Sequence, residues 1–124
     1  AFAHAPIGMA LADAAGVVLE ANRALGDLLG VPPGALAGRR CEDLVVPEDR
    51  ASMAAALRAL ASGEATAVDE APRLLPAAGD PIWVRCAMSA VPDRHGRPTT
   101  AVLQVVDLTG AREAERARNE FVAT

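Results

Sequence analysis

Two cysteines, Cys41 and Cys86, and two histidines, His4 and His95, carry the chain's most reactive and most metal-binding side chains. The cysteines stand far apart in sequence rather than in the close pairs of a zinc ribbon, and the histidines offer no ligand spacing to each other. His4 lies near the start and His95 in a turn between Asp93 and Pro98, so both are expected to be solvated and no metal site is expected. Ser52, Ser62 and Ser89 have no surrounding motif that supplies a base and an orienting group, which argues against nucleophilic catalysis. The adjacent carboxylates Glu48 and Asp49 follow Pro47 at a helix start, where complementing the positive end of the dipole accounts for them. Met53 sits one turn before Leu57 on that helix and reads as core rather than as an iron ligand. The fragment is expected not to be an enzyme.

The elements that must position these groups can be read from 124 residues that are 52% hydrophobic, 23% charged and of net charge −4. That is the size and balance of one domain with a core large enough to stand without disulfides. An acidic chain lacks the positive field that drives nucleic-acid binding, and no apolar stretch reaches the ~20 residues of a bilayer span. Neither nucleic acid nor direct membrane insertion is expected. Ala1 without an initiator Met or a signal sequence reads as a cut inside a longer protein, whose cytoplasmic location is the default with so few cysteines; that parent could still be membrane-anchored.

Apolar runs at Gly8–Ala12 and Val17–Leu19 flank the turn signal Asp13-Ala14-Ala15-Gly16 and predict a hairpin. Asn22 is a natural N-cap for a short helix carrying Leu25, Leu28 and Leu29, stopped by Gly30. Pro47 to Ser62, ended by Gly63, is the strongest helix, with Met53, Ala56, Leu57 and Leu60 as its apolar stripe. Strands follow at Ala67–Leu75, Ile82–Val91 and Thr99–Asp107, separated by turns at Pro76–Gly79 and Asp93–Pro98. From Ala111 a charged helix begins, with Glu113/Arg116, Glu115/Arg118 and Arg116/Glu120 as candidate ion pairs. Its seam of Ala114, Ala117, Phe121 and Thr124 is too thin to hold a coiled coil alone, so it needs a partner or a continuation. The order predicts an α+β domain: an antiparallel sheet of about five strands, helices on one face, and a C-terminal exit helix.

In this order the pieces resemble a PAS domain, from about Phe2 to Thr109. Ala5-Pro6-Ile7-Gly8-Met9-Ala10 with Asp13 resembles the family's first strand, and Glu20-Ala21-Asn22-Arg23-Ala24-Leu25 with Leu29-Gly30 its strand-to-helix step. Gly38, Asp43-Leu44 and Pro47-Glu48-Asp49-Arg50 match the next motif. Gly79, Trp83-Val84, Asp93-x-x-Gly96-x-Pro98 and Asp107-Leu108-Thr109 match the last three strands and their exit. The resemblance implies a PAS sensor domain over 1–110 and a signalling linker helix over 111–124, with Asp107 and Thr109 relaying a signal from sheet to helix. Thr109 is also expected to cap that helix. Arg118-Asn119-Glu120-Phe121-Val122-Ala123-Thr124 resembles the approach to the phosphoacceptor box of sensor histidine kinases. This implies a sensory and dimerisation module of a two-component kinase, acting as a homodimer on kinase helices in cis. The alternative is a flavin-type or small apolar ligand sensor feeding a cyclase or phosphatase.

Family cofactors can be tested residue by residue. Gly38-Arg39-Arg40-Cys41 puts Cys41 where light-sensing flavin members carry their reactive cysteine, but Glu42, Asp43 and Val45 replace the rest of that motif. The positions that would bond the flavin edge are Leu74, Val84 and Val105, and Gln104 is one residue out of register. Haem-binding members use a histidine on the long helix, and Pro47–Ser62 has none. No cofactor is expected. Alternation places Val84, Cys86 and Met88 on one strand face, with Leu103 and Val105 on the next strand and Leu74 before them; Leu57 of the long helix's apolar stripe and Cys41 join them. These residues are the candidates to line a ligand pocket. A filled core is the expectation, and a small uncharged apolar molecule is the guest if space exists. Trp83 falls on the other face and reads as packing.

Overall fold

The computed structural model describes residues 7–123. His4, the segment Phe2–Pro6 of the family resemblance, and Thr124 lie outside the described residues, as does the side chain of Phe121. The chain opens with β1 (Gly8–Asp13) and β2 (Val18–Ala21). The Asp13 carboxylate closes the turn between them: Oδ1 accepts the Ala15 and Val17 N–H groups at 2.9 and 3.0 Å, and Gly16 takes φ +83°, which disfavours any side chain. The same chemistry recurs between β5 (Ile82–Pro92) and β6 (Pro98–Asp107), where Asp93 Oδ1 accepts the His95 and Arg97 N–H groups at 2.8 and 3.0 Å ahead of Gly96. His95 is thus a solvent-facing turn residue.

Asn22 ends β2 and starts α1 (Arg23–Leu29). Only 1% exposed, it accepts the Met9 N–H at 2.8 Å and the Leu25 N–H at 3.1 Å through Oδ1, and donates from Nδ2 to the Ile7 carbonyl at 2.7 Å. One side chain therefore caps the helix and ties it to the first strand. Gly26, inside that helix, permits a close chain crossing: a Cβ there would stand 2.7 Å from the Val31 carbonyl oxygen and 3.0 Å from Pro33 N. Two single 3-10 turns, Pro33–Ala35 and Cys41–Leu44, lead to α2 (Pro47–Ser62), which buries Met53, Ala56, Leu57 and Leu60 and ends at Gly63 with φ +81°. Burying each of the larger three stabilises the fold by about 1.5–3 kcal/mol relative to exposure.

The sheet runs β2-β1-β6-β5-β3 with every neighbouring pair antiparallel, so the first strand sits between its hairpin partner and the last strand. It has six strands rather than five. The run expected from Ala67 to Leu75 splits into β3 (Ala67–Glu70) and β4 (Arg73–Leu74), because Pro72 has no N–H to donate and interrupts the ladder; both pieces pair with β5. One sheet face, carrying Ala10, Ala12, Val84, Cys86, Met88, Ala101, Leu103 and Val105, forms a single core with the helices' Leu25, Leu29, Met53, Leu57 and Leu60. The fold is therefore α+β with its helices gathered on that face, and α3 (Thr109–Ala123) leaves from the end of β6. No helix among the described residues is long and apolar enough to cross a membrane.

Candidate functional site

Between α2, the 3-10 turns and the sheet lies a small apolar-lined cavity of about 20 Å³. Of the residues expected to line a pocket, Cys41, Leu74, Val84, Cys86, Leu103 and Val105 surround it. Leu57 and Met88 do not. Leu57, though buried, borders a surface depression with Gly16, Arg40 and Arg58, and Met88 packs deeper in the core, facing Leu103 and Val68 across the ladders. The helical stripe is wide enough that Met53, one turn earlier, takes the place expected of Leu57. The turn residues Leu44 and Val45 and the β1 residue Ala10 also line the space. Their contribution was invisible to an alternation argument because it comes from non-adjacent segments.

The volume suffices for one water, but a stable buried water needs two to four polar partners, and this lining offers almost none. Pockets for cofactor-sized ligands run to about 300–1,000 Å³, so a flavin ring does not fit this arrangement without moving side chains. Cys41 and Cys86 are both free and buried. Burial pushes the Cys41 thiol up to about 11, with the negative charge of Asp13 adding to it. Burial likewise pushes Cys86 up to about 12, with Cys41 the next cause. Both values stand well above 7, so neither cysteine has the thiolate character of a reactive nucleophile near neutral pH.

The second part of the site is the junction of sheet and exit helix. Asp107 Oδ1 accepts the Thr109 N–H at 2.8 Å, the Leu108 N–H donates to the Trp83 carbonyl at 2.9 Å, and the Arg112 N–H donates to the Leu108 carbonyl at 2.9 Å. The helix therefore begins at Thr109, two residues before the expected Ala111, and its cap is the Asp107 carboxylate rather than Thr109. Of the three ion pairs expected along α3, Arg116–Glu120 forms, at 3.9 Å; among the described residues the other two do not. Sequence reasoning also missed the surroundings of Trp83. The residue is 39% exposed, and its ring lies under two guanidinium groups, with Arg112 4.2 Å and Arg73 5.3 Å from its centroid. Alternation fixed which way Trp83 points, but not that residues from β4 and α3 converge on it.

Across the sheet, Arg73 is held at the start of α2: its backbone N–H and Nε donate to Asp49 Oδ2 at 2.8 and 3.3 Å. Partial burial acts to raise the Asp49 pKa, but the hydrogen bonds and charge of Arg73 together outweigh it and hold the carboxyl below its ordinary value. Asp49 thus does more than complement the helix dipole. It fastens α2 to β4.

Residues 2–113 match the PAS fold family. The chain is similar to the probable diguanylate cyclase DgcE of Escherichia coli (strain K12), at 29% identity over 122 residues, or 98% of this chain; it spans 11% of that relative's length. Among solved structures it is similar to an RNA-binding light-oxygen-voltage receptor, with a TM-score of 0.77 at 22% identity over 99% of this chain and 35% of that one. It is also similar to the PAS domain of a protein from Colwellia psychrerythraea, with a TM-score of 0.78 at 16% identity over 88% of this chain and 92% of that one. At these identities the structural likeness speaks for the fold alone. With the family match running from residue 2 to residue 113 and the strand order closing β1 against β6, the chain belongs to the PAS fold family.

Proposed function

We propose that this chain is the signal-input and dimerisation module of a longer signalling protein, with a sensor unit over residues 1–110 and a linker helix over 111–124 that passes conformational change to an output domain. A PAS domain is itself a sensory, non-catalytic module. The observation that carries the reading is the junction at Asp107–Thr109, where the last core strand turns directly into a charged helix that projects with its described side chains exposed. Such a helix buries too little to be an end in itself and transmits whatever shifts its first turn. The core cavity is the input: with space for no more than one water it admits a small uncharged apolar molecule only as side chains move aside, and, left empty, it serves a purely mechanical role. For ligand binding to act as a signal, the guest must prefer one of two packings of this core.

A cyclase output is favoured by the likeness to a probable diguanylate cyclase. A histidine-kinase output is the second reading, supported by the resemblance of residues 118–124 to the approach to a phosphoacceptor helix. Homodimerisation, common among PAS domains, is supported by apolar side chains on the outer sheet face, with Leu19, Val91 and Val106 39–48% exposed. Free thiols suit a reducing, cytoplasmic setting. The test joins the chain through Thr124 to a diguanylate cyclase domain and, separately, to the dimerisation helices of a histidine kinase, each with and without Asp107→Ala. A change in cyclic dinucleotide output supports the first reading and a change in autophosphorylation the second. Output indifferent to Asp107 in both fusions overturns the proposed role.

A further inference from the structure

β4 and the start of β5 form a two-rung ladder in which Arg73 pairs with Trp83 and Leu74 with Ile82. Leu74 and Val84 line the cavity. Arg73 and Trp83, each one residue away along its strand, therefore face outward from the same short piece of backbone. On that outer side Arg73 is fastened to Asp49 at the start of α2, and its guanidinium lies over the Trp83 ring, which also carries the guanidinium of Arg112 from α3. The backbone repeats the connection. The Val46 N–H donates to the Arg73 carbonyl at 2.9 Å just before α2, and the Trp83 carbonyl holds the Leu108 N–H at the root of α3.

We propose that Trp83 is the coupling residue between the cavity and the exit helix, with Arg73 and Arg112 as its two contacts. This deepens, and rests on, the reading of α3 as the output element. A guest or a void that displaces Leu74 and Val84 moves the β4–β5 ladder as a unit, and Trp83 carries that movement to Arg112 and Leu108. The route bypasses β6. Besides the Leu108 N–H bond to the Trp83 carbonyl at its root, two side-chain attachments hold α3: the Asp107 cap at the end of β6 and the Trp83 ring on β5. The second is weak enough to be made or broken by small shifts, since an exposed cation–π contact changes an opening equilibrium only about 2- to 5-fold.

The test uses the 124-residue chain, in which Trp83 is the sole tryptophan and so reports on its own ring environment. Amide hydrogen exchange along residues 112–118 and Trp83 emission are followed in Arg112→Gln, Arg112→Lys, Val84→Ala and the double variant Val84→Ala/Arg112→Gln. Arg112→Gln is expected to shift Trp83 emission and speed α3 exchange about 2- to 5-fold, and Arg112→Lys to retain most of the protection. Val84→Ala is expected to speed α3 exchange when Arg112 is present and to add nothing when it is Gln. If Val84→Ala unfolds the domain, Leu74→Val makes the same test at lower cost. An effect of the cavity variant that is undiminished by Arg112→Gln, or an Arg112→Gln variant identical to the parent in both readouts, overturns the proposal. A helix that responds in exchange while a fused output domain does not contradicts the proposed function and leaves this coupling standing. An output that responds while Arg112→Gln leaves exchange unaltered does the reverse.

Discussion

Replacing Asp107 with Ala removes the acceptor that closes the first turn of α3. Asp107 Oδ1 holds the Thr109 N–H at 2.8 Å from an exposed carboxylate, so the loss is that of an exposed N-terminal cap, about 1 kcal/mol within a range of about 0.5–2. The Leu108 N–H stays on the Trp83 carbonyl, and the ring contact of Arg112 is untouched. The helix should therefore fray from its first turn rather than detach. About 1 kcal/mol corresponds to roughly a five-fold rise in the open population, so amide exchange at residues 109–112 should accelerate by about that factor while exchange in β5 and β6 stays unchanged. Asp107→Asn keeps an oxygen acceptor in place and should stay within about two-fold of the parent. Thr109→Ala should behave like the parent because the carboxylate, not the hydroxyl, serves as the cap. Equal acceleration by Thr109→Ala and Asp107→Ala, or no acceleration by Asp107→Ala, would show that the Asp107 carboxylate does not close the first turn of α3.

Three further expectations concern the body of the domain. Asn22→Ala removes a helix cap and strands a partly buried Met9 N–H, so urea titration should show a loss of about 1.5–3 kcal/mol; a loss under about 1 contradicts the role of Asn22 as a tie between β1 and α1. Gly26→Ala, a change that in an open helix gains about 1 kcal/mol, should lower the thermal midpoint here, since the new Cβ meets backbone atoms of Val31 and Pro33; a raised midpoint would show that the crossing gives way. Cys41 and Cys86 should resist a thiol reagent at pH 8 until the protein unfolds. Because both folded values, about 11 and about 12, stand above the ordinary 9.0, the stability they contribute is whole below pH 9 and is lost as pH rises toward 11 and 12. Unfolding free energy that is flat over that alkaline range would contradict their burial as neutral thiols.

Much of the frame was legible because single residues announced it. Asn22 after Glu20-Ala21 gave the helix cap, the two Asp-x-x-Gly turns gave the hairpins, and Pro47 with Gly63 bounded α2. The misses have physical causes too. Pro72 was in plain view, yet the apolar run around it masked a break that follows from its missing donor. Period two showed which face Met88 occupies, but not that the cavity ends one rung short of it, because that depends on how the Cys41–Leu44 turn and Met53 fill the space. α3 starts two residues before its charged run because the Asp107 carboxylate closes its first turn, a contact that the charge pattern alone does not announce. Trp83 was placed outward correctly, but Arg73 and Arg112 are distant in sequence, and only the assembled sheet brings them over one ring.

The central claim is that this domain acts through the position and rotation of α3. It is tested most directly by fusing the chain through Thr124 to a diguanylate cyclase domain and measuring output as one to seven alanines are inserted between Arg118 and Asn119. Each inserted residue turns all that follows by about 100° and advances it about 1.5 Å. Output is expected to rise and fall with a period of about 3.6 residues. Output that does not vary with the number of inserted residues would contradict the central claim.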